Sequence, residues 1–231
     1  MAILECKGLY KSYGQSPALV GVNLSIEEGG VVGLLGPNGS GKSTLIKLAM
    51  GMLQPTQGEI LIDGKKPCPA TKSITAYLPD KDFLSDWMNI DQALRYSQDF
   101  FADFNRGKAE AMLSRLGLGM KQRIKSLSKG NREKLGLILT MARDAKLYIL
   151  DEPIAGVDPA ARDFILDTVM NNRPEGSTII VCTHLIADIE PILTHAIFLN
   201  RGQIALDENA QEVKEREGKT LDELFREVFR W

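Results

Sequence analysis

The chain has 231 residues, 44% of them hydrophobic and 25% charged, which is the make-up of a soluble globular domain with interior enough for a sizeable core. Those proportions exclude a disordered, collagen-like or coiled-coil chain. With 28 Lys and Arg against 30 Asp and Glu, the formal net charge is −2, so nothing draws the chain as a whole toward nucleic acid or an anionic membrane surface, and no nucleic-acid partner is expected.

The start, Met1-Ala2-Ile3-Leu4-Glu5-Cys6-Lys7, lacks the charged head and apolar stretch of a secretory leader. No apolar run approaches the roughly 18–20 residues of a membrane span. A cytoplasmic chain is expected. Cys6, Cys68 and Cys182 are widely and irregularly spaced, and His184 and His195 are the only imidazoles. Neither a disulfide framework nor a zinc site is expected from them.

In chain order, strand-like runs fall at residues 2–7, 19–26, 31–35, 59–62, 75–78, 147–150, 178–182, 196–199 and 203–206. The runs at 31, 147 and 178 are almost purely apolar, as in strands buried on both faces. Helices are expected at 42–50, stopped by Gly51, and at 160–171, where Asp158-Pro159 supplies an N-cap followed by proline at the first helical position. Alternation of strands and helices predicts an α/β fold around a parallel sheet, with a more antiparallel β portion at the N-terminus.

Residues 83–143 break that alternation and read as an inserted helical subdomain. Phe83, Trp87, Tyr96, Phe100, Phe101 and Phe104 crowd into about twenty residues there. Packing in the subdomain's own core is the plainer expectation for them, and a docking groove the alternative. From 207 to 231 the chain is charged, while Val213, Leu221, Leu224, Phe225 and Val228 mark a terminal amphipathic helix or pair of helices. The whole, 1–231, reads as a single domain.

Gly36-Pro37-Asn38-Gly39-Ser40-Gly41-Lys42-Ser43 fits the phosphate-binding pattern G-x-x-x-x-G-K-[ST]. Glycines allow the backbone to wrap with its N–H groups turned inward at a helix N-terminus, where they meet phosphate oxygens. Lys42 is expected to reach the β- and γ-phosphates, Ser43 to ligate Mg²⁺, and Thr44 to continue the nucleotide contact. Leu147-Tyr148-Ile149-Leu150-Asp151-Glu152 is an apolar strand ending in two carboxylates. After a phosphate loop, Asp151 is expected to hold Mg²⁺ and Glu152 to act as the base toward the attacking water.

With Leu127-Ser128-Lys129-Gly130-Asn131 between these two motifs, the chain resembles the ATP-binding cassette (ABC) ATPases. That segment is similar to the family's L-S-G-G-Q signature, with the first Gly and the Gln replaced. The resemblance implies a P-loop, ABC-type nucleotide-binding domain in which Ser128, Gly130 and Asn131 face the γ-phosphate of ATP held by a second ABC ATPase subunit, identical or not. It implies that Tyr13 stacks on adenine, that Asp158 lies on a loop crossing the dimer interface, and that His184 contacts the γ-phosphate. Asp80 stands where the family usually has a Gln that contacts Mg²⁺ and water; it is read as a metal ligand that adds negative charge. Lys129 is read either as a phosphate contact or as solvated.

One phosphate loop per chain then implies a head-to-tail dimer around two ATPs. The partner implied is an integral membrane permease subunit, with this chain peripheral on the inner face of the cell membrane. About 25 residues follow the core, which tilts the expectation toward an exporter-type or ABC-2-like system. The rival is a soluble ABC-type ATPase acting as a regulatory or assembly module without a membrane partner.

Overall fold

In the computed structural model, which describes residues 1–229, two sheets and a set of helices divide the apolar residues by strand periodicity. β1 (Ala2–Tyr13) and β2 (Ser16–Glu27) form an antiparallel hairpin, and β4 (Gln57–Ile62) pairs with the other edge of β1. The second sheet holds β3 (Val31–Leu35), β5 (Thr75–Leu78), β6 (Leu147–Asp151), β7 (Thr178–Thr183), β8 (His195–Asn200) and β9 (Gln203–Asn209). Its order is β5-β6-β7-β3-β8-β9, parallel except for the β8–β9 pair.

Successive side chains of the central strands face opposite ways. Val32, Leu34, Ile149 and Ile180 pack toward the N-terminal sheet around α1 (Lys42–Ala49). Val31, Leu35, Tyr148, Leu150, Ile179 and Val181 pack on the other side against the remaining helices. Both faces are covered, which is why these strands read as unbroken apolar runs.

β1 and β2 run well past the expected 2–7 and 19–26. Pairing continues through Ser12–Pro17 to Tyr13–Ser16, so backbone hydrogen bonding extends the ribbon where apolar alternation has faded. α2 (Pro69–Ser73) was not expected. It has five residues, too few for periodicity to show, and the Thr71 hydroxyl accepts the Cys68 N–H at 2.9 Å.

Between β5 and β6 lie α3 (Ile90–Phe100), α4 (Arg106–Arg115), a 3₁₀ turn at Ile124–Ser126 and α5 (Lys129–Met141). Asn89 caps α3, its side chain accepting the Gln92 N–H at 2.8 Å while Gln92 accepts the Asn89 N–H at 2.9 Å. The apolar faces of these helices merge with the core on one side of the sheet.

The aromatic cluster corrects the core expectation. Phe104 alone of the six is buried; Phe83, Trp87, Tyr96, Phe100 and Phe101 are exposed, Trp87 at 70%. Helical spacing explains α3: Ile90, Ala93, Leu94 and Ser97 form its buried face. Tyr96 and Phe100, four residues apart, fall outside it and stack on each other at 4.4 Å.

After β6 come α6 (Pro159–Asn171), α7 (Ile186–Ile189) with a 3₁₀ turn at Glu190–Ile192, α8 (Ala210–Glu217) and α9 (Leu221–Val228). The terminal segment is thus a pair of helices, with Phe225 edge-on to Phe198 at 5.6 Å. Among the described residues no helix is long and apolar enough to cross a membrane. The thiols of Cys6, Cys68 and Cys182 are free.

Arg143, just after α5, is 4% exposed and joins this helical segment to the sheet edge. It donates to Asp103 at 2.9 Å, to the Thr75 carbonyl at 2.6 Å and to the Ser73 carbonyl at 2.8 Å, under the Phe101 ring at 4.1 Å. A desolvated guanidinium survives only with its donors satisfied. Arg143→Ala strands the Asp103 carboxylate and both carbonyls, and should cost about 3–5 kcal/mol of stability. The check is a lower urea midpoint with an unchanged m-value, and a smaller loss for Arg143→Lys.

Candidate active site

The phosphate loop is built by close backbone approach. A Cβ on Gly36 would meet the Leu199 carbonyl and lie 2.5 Å from Ser40 Oγ. At Gly41, φ is +112° and a Cβ would lie 2.6 Å from the Ala18 carbonyl. Only glycine fits either place. The Ser40 N–H donates to the Pro37 carbonyl at 3.1 Å, and the Gly202 N–H donates to the Ser40 carbonyl at 2.8 Å, so the β8–β9 turn clamps the loop from behind. Ser40 is buried with its hydroxyl unpartnered, whereas Asn38 and Gly39 form the exposed lip.

α1 begins at the loop's end, and the first N–H groups of a helix have no intrahelical partner, so this terminus suits an anion. Lys42 is 6% exposed, and its ammonium donates to the carbonyls of Gly36 at 2.6 Å and Pro37 at 3.3 Å. Ser43 is exposed and Thr44 half-buried on the same turn. Tyr13 is half exposed at the end of β1, with the Lys11 ammonium 5.6 Å from its ring. It closes the hairpin whose other strand places the Ala18 carbonyl against Gly41.

Parallel register brings the rest of the site to the same edge. Leu35 pairs with Thr183, Asp151 with Cys182, and Leu78 with Leu150, so the strand ends carrying Gly36, Asp151, Thr183 and Asp80 lie side by side. Asp151 is 5% exposed and its Oδ1 has no partner. Burial foremost pushes its pKa up; the Cys182 thiol and Lys42 oppose that, while Asp80 and Glu152 add to it. Glu152 adopts φ +52°, its N–H donating to the Cys182 carbonyl at 2.7 Å. Its Oε2 accepts the Thr183 hydroxyl at 2.9 Å and its Oε1 lies 2.9 Å from His184 Nδ1. An ionised carboxylate can only accept, so this hydrogen bond places a proton on His184 Nδ1.

Asp80 is exposed and lines one cavity together with Ser43 and Asp151. This is a hard oxygen set suited to Mg²⁺, and the unpartnered, buried Asp151 Oδ1 is the natural ligand atom. Among the described residues no three His, Cys, Asp or Glu side chains are arranged to hold a metal by themselves. A cation here would take its other ligands from phosphate and water.

Ser128 caps α5, its hydroxyl accepting the Asn131 N–H at 3.3 Å. Gly130 and Asn131 occupy the first turn, half-buried. No hydrogen bond or shared cavity wall, among the described residues, joins Ser128, Gly130 or Asn131 to the phosphate loop of the same chain. Lys129 extends into solvent with Glu133 at 3.7 Å. Asp158 caps α6 by accepting the Ala161 N–H at 3.0 Å. His195 pairs with Asp207 at 2.7 Å, away from these residues.

Two further residues escaped the sequence reading. Thr183 grips Glu152, and its only sequence signal is a hydroxyl directly before His184 at a strand end. Arg132 bonds Asp82 and Asp86 at 2.6 Å each and the Leu84 carbonyl at 3.2 Å, fastening the loop that follows Asp80 to α5. No spacing rule links residue 132 to residues 82–86.

Against known proteins, the ABC transporter family model matches residues 19–155. The lantibiotic transport ATP-binding protein SrtF of Streptococcus pyogenes is 30% identical over 230 residues, 96% of each chain. The manganese transport system ATP-binding protein MntA of a Synechocystis species is 36% identical over 202 residues, 81% of this chain and 77% of that one. A solved ATP-binding subunit of an ABC transporter superposes at TM-score 0.88 with 27% identity, covering 99% of this chain and 100% of that chain. With the phosphate loop, the paired carboxylates and the sheet order already accounted for, these likenesses show that the chain belongs to the ABC transporter family as an ATP-binding subunit.

Proposed function

We propose that this chain hydrolyses Mg²⁺-ATP as one half of a two-subunit cassette dimer and drives a separate membrane permease from the inner, cytoplasmic face of the membrane. The observation that carries the reading is the convergence of Lys42, Asp151, Glu152 and His184 on one sheet edge, while Ser128, Gly130 and Asn131 stand apart on α5. Such a chain holds a nucleotide on its own loop and offers its signature segment to another.

In this reading Lys42 exchanges the Gly36 and Pro37 carbonyls for the β- and γ-phosphates, and the N-terminus of α1 holds the phosphate oxygens. Ser43 and Asp151, with Asp80 beside them, would hold Mg²⁺, which when bound neutralises charge on those oxygens. Glu152 takes a proton from the water that attacks the γ-phosphorus, and ADP leaves. His184 presents Nε2 toward the γ-phosphate. Ser128, Gly130 and Asn131 of a second subunit close the site, with the loop at Asp158 between the two subunits. Most of the catalysis is positioning and charge stabilisation.

The route to the membrane is the exposed aromatic ledge. A cavity of about 790 Å³ runs from Ser43 and Asp151 past Asp80 to Trp87, Tyr96 and Phe101. It thus joins the nucleotide end to a surface apolar enough to receive a helix of the permease.

Glu152→Gln should lower hydrolysis by about 10²–10⁴-fold and accumulate an ATP-bound dimer, read by light scattering; normal turnover refutes the base assignment. Asp80→Gln removes a negative charge beside Asp151, so the Mg²⁺ concentration for half-maximal rate should change and the rate rise. If neither moves, Asp80 has no part in the metal site. Finally, Trp87→Ser with Phe100→Ser should abolish co-purification with a permease from detergent-solubilised membranes while ATP binding persists. Recovery of the unaltered chain with soluble partners alone would favour the regulatory or assembly role instead.

A further inference from the structure

We infer that Thr183 is a positioning residue that holds the Glu152 carboxylate in the orientation its proton transfer requires. The inference rests on the reading of Glu152 as the base, and it adds a residue to that reading.

Thr183 is the last residue of β7 and is fully buried. Its hydroxyl oxygen accepts the Leu185 N–H at 3.1 Å. That bond turns the single O–H proton away from the backbone, and the hydroxyl donates it to Glu152 Oε2, 2.9 Å from the Thr183 oxygen. Glu152 needs such a partner because of its backbone. A φ of +52° is uncommon outside glycine, and here it turns the side chain back toward β7. The Cys182 carbonyl holds the Glu152 N–H, and Thr183 and His184 then take one carboxylate oxygen each.

These two partners differ in mobility. His184 is exposed, and to meet a γ-phosphate its ring must be free to turn. Thr183 is locked in the sheet opposite Leu35, the residue that leads into the phosphate loop. Thr183 therefore keeps Glu152 aligned with the loop whichever way His184 faces. Packing alone does not call for a hydroxyl at this position, because valine has the same shape and its neighbours in β7 are Ile179, Ile180, Val181 and Cys182. A buried hydroxyl persists when it has a partner to serve.

The test compares Thr183→Val, which keeps the shape and removes the hydroxyl, with Thr183→Ser, which keeps the hydroxyl and removes a methyl. Steady-state ATP hydrolysis by the full chain should show kcat for the Val variant lowered by roughly 10- to 100-fold with KM for ATP unchanged, and kcat for the Ser variant within about twofold of the parent. A packing role predicts the reverse ranking. Wild-type kcat for Val, or equal losses for Val and Ser, would overturn the inference. Should the Val variant not fold, Thr183→Ala against Thr183→Ser reads the same hydroxyl at smaller volume, and Ala must fall while Ser does not. Glu152→Gln in the same assay separates the two readings. If it turns over normally, the base assignment fails and this inference with it. If it is inactive while Thr183→Val is unimpaired, only the positioning role fails.

Discussion

The parallel hydrogen-bonded register of β3, β6 and β7 is the constraint on which the rest of the molecule depends. Pairing Leu35 with Thr183 and Asp151 with Cys182 sets the phosphate loop, both acidic residues and His184 at one height. A parallel ladder needs both faces covered, and the helices and the N-terminal sheet supply that cover. Slipping β6 by one residue would exchange its two apolar faces and move Asp151 from the side of α1 to the side of the helical segment. The depth of the core therefore protects the geometry of the site.

Electrostatics at that edge are unbalanced in a useful way. Lys42 is buried and satisfied by carbonyls, whereas Asp151 is buried with one oxygen left over. Asp80 and Glu152 add negative charge nearby, so the group most able to relieve the strain is a cation. The helix start and the loop N–H groups, a short way off, favour an anion. A metal–triphosphate, the ligand proposed above, would answer both demands at once.

Two arginines make the helical segment part of the same machine. Arg143 ties Asp103 to the β5 edge, and Arg132 ties the loop at Asp82 and Asp86 to the first turns of α5. The loop after Asp80 is thus hydrogen-bonded to the helix that Ser128 caps. The aromatic ledge at Trp87 lies on the same loop, so Arg132 joins the exposed surface and the start of α5 through one set of hydrogen bonds.

How much of this was legible in the sequence depended on the range of the interaction. The glycine loop, the strands at 31–35 and 75–78 and the acidic pair at 151–152 were all readable, because backbone conformation, apolar periodicity and motif spacing act over a few residues. The length of the N-terminal ribbon was not, since β1 and β2 extend through backbone pairing that makes no demand on side chains. Nor was the exposure of Trp87, Tyr96 and Phe100: hydrophobicity alone sends an aromatic inward, and only the packed face of α3 shows that Ile90, Ala93 and Leu94 had already filled that place. The grip of Thr183 on Glu152 joins residues 31 apart in the chain. The sequence by itself determined where the ammonium, hydroxyl, carboxylate and imidazole groups proposed for phosphate, metal and proton transfer stand along the chain. Tertiary structure alone decided which of them meet, because a 2.9 Å hydrogen bond between strands depends on register, and register is a property of the whole sheet.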